Sequence, residues 1–328
     1  MSPEAVSSAE KSLEVTHVHG DRVVVRAAAT GTDLFSYVYK PDPEAFEARK
    51  PYVHPLRTLS GNLVSGYRPN DHRWHKGLQM TASHLSGQNF WGGNCYVHGE
   101  GYLPLPDRIG SMRHDGFDAV EAGADELTFT ERLTWVENGG DEWAREVRGV
   151  RVHSVDPDSG SYAVDWSIEL TNTRADGEAL RFGSPTTAGR EMAGYTGLQW
   201  RGPRDFTGGK VFGPEEPEDA SGSVATYDAP GALMGTQGPW VAFTGEHDDV
   251  DGHSTLVFTH APENADAIHE SHWFVRAEPI PTVAFSWAFF EEFALPVGET
   301  FRYRYRIVVA DGAWDKEQVT TRLKELPW

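Results

Sequence analysis

The sequence holds a single cysteine, Cys95, so no disulfide can form within the chain. That fits a reducing compartment. A lone cysteine reads as a small buried hydrophobe before it reads as a nucleophile. Basic residues are scarce. The 29 Lys and Arg against 49 Asp and Glu leave a formal charge of −20. Sequence-independent nucleic-acid binding needs clustered cations, and an anionic membrane surface would repel this chain. No stretch approaches the roughly 18 consecutive apolar residues of a membrane helix. The first twenty residues lack the apolar segment of a secretory signal, so the expected location is the cytoplasm. GxGxxG before a helix, a P-loop, a GxSxG elbow and a CxxC pair are all missing. Dinucleotide binding, P-loop phosphoryl transfer, α/β-hydrolase chemistry and thiol redox work lose their usual motifs. No internal repeat is visible, which disfavours a propeller.

What is present is period-two alternation. Tyr162, Val164, Trp166, Ile168 and Leu170 alternate with Ala163, Asp165, Ser167, Glu169 and Thr171, the pattern of a half-buried strand. Leu127, Phe129, Leu133 and Trp135 alternate with threonines and Arg132. Phe301, Tyr303, Tyr305, Ile307 and Val309 face one way, and Arg302, Arg304 and Arg306 face the other as an expected solvated row. Further strands are expected at Val23–Ala28, Phe35–Tyr39, Val147–Val155, Ser254–Thr259, His272–Ala277 and Val283–Phe289. Turns such as Asn138-Gly139-Gly140-Asp141 and Asp156-Pro157-Asp158-Ser159-Gly160 join them, which predicts antiparallel pairing. One helix is expected, about Ala313–Leu326, and one long surface loop, Gly213–Gly222. The fold class is therefore all-β, a large antiparallel β-sandwich with a short C-terminal helix, spanning 1–328 as one domain.

Six of the fourteen histidines fall between His54 and His114. The densest stretch is Asp71-His72-Arg73-Trp74-His75 within a loop rich in Pro, Asn and Gly, the kind of segment that carries functional groups on a rigid sheet. Two imidazoles and a carboxylate serve either of two purposes. They can act as general acid and base, with Asp71 fixing one tautomer, or His72 and His75 can help bind one divalent metal. A polar loop that bonds its own backbone is the plain alternative. Other members of a site would come from His54, from His114, and from His98 and Glu100 if that segment is extended. A second region holds Tyr195, Trp200, Arg201 and Arg204 among glycines. Flat apolar rings with forked donors suit a sugar ring, though a core tryptophan beside a turn explains the same residues. His272, Phe274 and Arg276 would share one strand face.

Pro51-Tyr52-Val53-His54-Pro55-Leu56, Asp71-His72-Arg73-Trp74-His75-Lys76-Gly77-Leu78, Asn89-Phe90-Trp91, Arg108-Ile109-Gly110-Ser111-Met112-Arg113-His114 and Trp273-Phe274-Val275-Arg276 follow one another in this order. The chain thereby resembles, over about residues 50–312, the bacterial domain-of-unknown-function family labelled "methane oxygenase PmoA"-like proteins. The commoner family form has His where this chain has Trp74. The resemblance implies a galactose-mutarotase-like supersandwich and carbohydrate metabolism, with a site on the concave face of the sheet. No mutarotase-type catalytic Glu maps onto a position here.

Three readings follow. The first is an enzyme acting on a sugar or glycoside by proton transfer, as an epimerase, lyase or hydrolase. His72 and His75 would be its acid–base groups, Asp71 would orient one of them, and His54 and His114 would complete the set. Arg57, Trp91, Arg201 and Arg276, with Tyr195, Trp200, His98 and Glu100, would hold the substrate. The second is a non-catalytic sugar-binding β-sandwich. The third is a metal-dependent oxygenase, as the family label says. No cofactor is fixed by the sequence, and the first reading is open to acid–base or metal-assisted chemistry, with one divalent metal on His72 and His75 in the second case. The expected partner is a small sugar, with self-association through sheet edges left open.

Overall fold

A computed structural model of the chain describes residues 11–215 and 231–328. Residues 1–10 of the N-terminal stretch and 216–222 of the expected surface loop lie outside them. Among the described residues two eight-stranded sheets dominate. The first runs, in spatial order, Leu13–Val18, Arg22–Ala27, Thr32–Val38, Tyr52–Leu56, Leu78–Thr81, Gly197–Arg201, Thr282–Ser286 and His272–Arg276. The second runs Lys210–Phe212, Trp240–Glu246, His253–His260, Thr300–Asp311, Ser161–Asn172, Glu142–Asp156, Glu126–Val136 and Ser111–Ala122. Neighbouring strands in both sheets pair antiparallel. The expected antiparallel β-sandwich is the fold.

The alternation seen in the sequence is what lets the sheets face each other. One side of each strand supplies the core. Trp200 and Phe285 of the first sheet meet Phe243, Phe258 and Tyr305 of the second, with ring centroids 4.2–5.5 Å apart. At the other end Tyr37 packs on Phe129 and Trp166 at 4.9 and 6.1 Å. A buried polar knot crosses here. Arg148 holds Glu146 at 2.6 Å and donates to the Tyr37 hydroxyl at 3.1 Å, and Tyr37 in turn donates to Glu131. Burial raises the Glu131 carboxyl even so.

Several strands escape the alternation rule, Leu78–Thr81 and Thr282–Ser286 among them, buried at every position. All five residues of Gly197–Arg201 are buried, because this strand is covered on both faces, so its pattern looks like a glycine-rich turn. Trp240–Glu246 is buried on both faces too, since Trp240 and Ala242 pack with Val319 and Leu326 of the C-terminal segment. Ser111–Ala122 is a polar edge strand whose register breaks at two bulges. The helix is Lys316–Glu325, shorter than the expected 313–326. Asp315 and Gln318 form a capping box that fixes its start.

The arginine row divides. Arg302 and Arg304 stay exposed beside Glu169 and Glu263. Arg306 corrects the expectation of a solvated row, since it is 1% exposed, held by Asp165 at 2.5 Å and donating to the Leu326 carbonyl. The C-terminal segment that follows the helix covers it. Two charges taken from water need this fit of partner and carbonyl to be tolerated.

Trp200 is a core residue, 1% exposed, with its indole N–H on the Val64 carbonyl at 2.8 Å. This corrects its expected place among substrate contacts. Its alternation partner Leu198 faces the same core, and Gln199 and Arg201 take the other side. Trp200→Ala is expected to lower the free energy of unfolding by about 3–5 kcal/mol, read from denaturant midpoints. An unchanged midpoint would place Trp200 outside the core.

Candidate functional site

The outer face of the first sheet carries two rows set by strand register. Gln79, Gln199, Ala284 and Phe274 lie side by side across four adjacent strands. Arg201, Thr282 and Arg276 form the next row across three. A polar ladder joins them. Gln79 donates to Gln199 at 2.8 Å, Gln199 donates to Thr282 at 3.0 Å, and Thr282 donates to the Trp200 carbonyl at 2.7 Å.

The Asp71–His75 loop folds over these rows. His72 N–H donates to the Pro69 carbonyl and His75 N–H to the His72 carbonyl, each at 2.9 Å. The loop can return to the sheet only through Gly77, at φ 59°, where a Cβ would lie 2.0 Å from the Val53 carbonyl oxygen. A cavity of about 260 Å³ remains between loop and sheet. Asp71, His72 and His75 line one side of it, and Gln199, Thr282 and Arg276 line its floor. Trp91, Tyr195 and Phe274 form an aromatic wall, with centroids 4.6 and 5.6 Å apart in succession.

The two histidines are oriented differently. Nδ1 of His72 lies 2.8 Å from the Asp71 carboxylate. A carboxylate only accepts, so this nitrogen carries the proton and Nε2 keeps its lone pair. Nδ1 of His75 lies 3.4 Å from the Arg201 guanidinium. Arginine only donates, so here Nδ1 accepts and Nε2 carries the proton. The rings lie 4.9 Å apart. Burial lowers the His72 pKa although Asp71 opposes it, and burial with the Arg201 charge drives His75 well down. Burial alone would raise the Asp71 carboxyl, but the His72 bond, its backbone and Arg201 bring it below the usual range. Arg204, exposed, also reaches Asp71 at 3.3 Å. Burial brings Arg201 itself down to about 10.

A second layer fixes the aromatic wall. The Trp91 carbonyl accepts from buried Lys50 at 2.7 Å, and its N–H donates to Asn89 at 2.8 Å. Buried Glu47 ties Arg68 at 2.7 Å to Lys76 at 3.0 Å, next to His75. Glu47, Lys50 and Asn89 were missed in the sequence, where nothing in the composition of their segments marks them. Phe274 was legible only as a member of a strand face, Gln199 lay in a stretch that reads as a glycine-rich turn, and Thr282 falls one residue outside the expected strand Val283–Phe289.

Of the expected site residues, Asp71, His72, His75, Trp91, Tyr195 and Arg276 reach one cavity, with Arg201 directly behind His75. The others do not. His54 bonds Ser65 at 2.9 Å and stacks on Tyr67. His114 is held by Glu131 at 2.6 Å in the buried knot of the second sheet. Arg57 closes a turn on the Gly61 carbonyl at 3.0 Å. His98 and Glu100 are exposed in the tight turn between Cys95–Val97 and Gly101–Leu103, not on an extended face. Their neighbour Tyr102 lines the cavity instead. Cys95 is buried, and burial raises its thiol. Among the described residues no three His, Cys, Asp or Glu side chains are placed to share a metal ion.

The chain belongs to the family of unknown function DUF6807, which it matches over residues 24–324. No curated protein matches it. It is similar in structure to the GH36 alpha-galactosidase AgaA from Geobacillus stearothermophilus, at 10% identity and TM-score 0.39, over 92% of this chain and 41% of that one. It is similar to the alpha-galactosidase from Lactobacillus brevis at 10% identity and TM-score 0.39, over 97% and 42%. It is similar to a galactose mutarotase related enzyme from Lactobacillus acidophilus at 8% identity and TM-score 0.35, over 93% and 98%. The chain thus spans about two fifths of the length of the alpha-galactosidases. At these identities the likeness says nothing of what this chain binds. The matched family is described as one of unknown function, which lends the expected methane-oxygenase label no support. No helix among the described residues is long and apolar enough to cross a membrane.

His54 gives a direct check on placement. Burial lowers it to about 4, so it is neutral at pH 7. Its contribution to stability is complete above the unfolded value of about 6.5 and is lost as pH falls towards 4, because the unfolded chain binds the proton first. A pH titration of the imidazole NMR signals is expected to place the His54 midpoint near 4. A midpoint near 6.5 would mean a solvated ring.

Proposed function

We propose that this cavity binds a single sugar ring and transfers a proton at or beside one of its oxygen-bearing carbons. The observation that carries this reading is the pair of oppositely oriented histidines on one side of an aromatic-walled cavity. His72, oriented by Asp71, offers a lone pair as general base. His75, oriented by Arg201, offers an N–H as acid or as a donor to a developing negative oxygen. Both imidazoles sit below their usual pKa, so both are neutral at pH 7, which such a division of labour needs.

The walls suit a sugar. Trp91, Tyr195 and Phe274 present flat faces for ring C–H groups, and Gln199, Thr282 and Arg276 present polar groups for hydroxyls. A volume of about 260 Å³ falls below the roughly 300–1,000 Å³ of sites for drug-sized ligands, which favours one ring over a chain of rings. Epimerisation, elimination and hydrolysis all use a base and a proton donor. A divalent cation suits this side of the cavity less, because Arg201 and Arg276 bring positive charge to it and each histidine already has one nitrogen engaged.

Incubation with a panel of monosaccharides and glycosides, followed by NMR, is expected to show conversion of at least one of them. His72→Gln and His75→Gln are each expected to reduce turnover by about 10²–10⁴-fold with circular dichroism unchanged. Full turnover in both variants would remove these roles, and tight binding with no product would make the protein a sugar-binding module. In wild type, kcat/KM is expected to be flat above pH 6.5 and to fall on the acid side, where His72 takes up a proton. A rate that rises on acidification would contradict His72 as the base.

A further inference from the structure

Two buried arginines stand at the sheet side of the site, and one of them, Arg201, has no carboxylate beside it among the described residues. Register sets Arg201 and Arg276 on either side of Thr282, two strands apart on one sheet face. At about 4.8 Å per strand their backbones lie roughly 10 Å apart, with Arg276 over the Phe274 ring and Arg201 on His75. Arg276 is 6% exposed and lines the cavity, and Arg201 is 2% exposed behind His75.

Buried arginines elsewhere in this chain come with carboxylates. Arg148 has Glu146 at 2.6 Å, Arg306 has Asp165 at 2.5 Å, and Arg322 has Asp156 and Glu325 at 3.3 and 3.2 Å. Arg201 differs. Its Nη1 meets His75, its Nε meets the Gly202 carbonyl at 3.3 Å, and no carboxylate among the described residues lies within 4 Å of it. A cation taken out of water without an anion is costly. The one acid that lines the cavity, Asp71, is engaged by His72 and Arg204. The charge of the whole chain is −20, so a cation-rich floor departs from the surface around it.

We infer that the substrate is an anionic monosaccharide whose acidic group, carboxylate or phosphate, is received at the Arg276 side of the floor with Arg201 as the second positive charge. This rests on the proposed function and narrows its substrate class. The guanidinium forks suit an oxyanion with two free oxygens. The aromatic wall then takes the ring, and the histidine pair faces the carbons near the anionic group. Burial is the main cause that disfavours the protonated histidines, and the arginine charges add to it, Arg201 and Arg276 at His72 and Arg201 at His75.

The test is calorimetric binding in low salt of D-glucuronate, D-galacturonate, D-glucose 6-phosphate and D-galactose 6-phosphate against D-glucose and D-galactose. At least one anionic sugar is expected to bind tenfold or more tightly than its neutral parent, and the uronate and phosphate arms say which acid group the floor takes. Arg276→Gln and Arg201→Gln are each expected to weaken the anionic sugar's binding more than the neutral parent's, so that the ratio between the two falls towards one. Arg276 is read alone if Arg201→Gln fails to fold. Neutral sugars binding as tightly as the anionic ones would overturn the inference and leave the proposed function standing. An anionic advantage that survives both substitutions would overturn it equally. No sugar binding at all would bring down both.

Discussion

The alternation of side chains along Gly197–Arg201 ties the core to the site. Leu198 and Trp200 point into the sandwich, and Gln199 and Arg201 point to the cavity. A strand cannot shift by one residue without exchanging these two sets. The same rule holds for Thr282 against Val283 and for Arg276 against Val275. Packing of Trp200 on Phe243 and Phe258 therefore sets the register of the polar ladder and of the arginine row. The rigid side of the sheet decides where the chemical side stands.

Electrostatics completes what register begins. Asp71 and Arg201 are opposite in charge and act on neighbouring imidazoles, so each histidine is fixed in a different tautomer. A carboxylate can only accept and a guanidinium can only donate, and no conformational choice is left to the rings. Burial keeps both neutral. The layer beneath works in the same way. Glu47 pairs with both Lys76 and Arg68 under the loop, and Lys50 satisfies the Trp91 carbonyl so that the indole stands at the cavity wall.

Strands that bury one face could be read from the sequence, as Ser161–Asn172, Glu126–Val136 and Thr300–Asp311 show. Their signal is period two, and solvent on one side creates it. Gly197–Arg201 and Trp240–Glu246 are covered on both sides, so that signal is absent. Clustering in sequence found Asp71, His72 and His75 because one loop carries all three. It misled for His54 and His114, which are close in sequence to that loop but have partners of their own, Ser65 and Glu131. Arg276 was found as a strand-face residue, but its row with Arg201 depends on pairing between strands 75 residues apart in the chain, which no local pattern carries. Glu47 and Lys50 matter through burial alone, and burial of a charge leaves no mark in composition.

The central claim is that His72 and His75 are held neutral in opposite tautomers. Two-dimensional ¹H–¹⁵N correlation of the imidazole nitrogens at pH 7.5 reads this directly. The account predicts His72 protonated on Nδ1 with a bare Nε2, and His75 protonated on Nε2 with a bare Nδ1. Asp71→Asn should loosen the first assignment and Arg201→Gln the second. Finding both rings in the same tautomer, or either one doubly protonated at that pH, would contradict it.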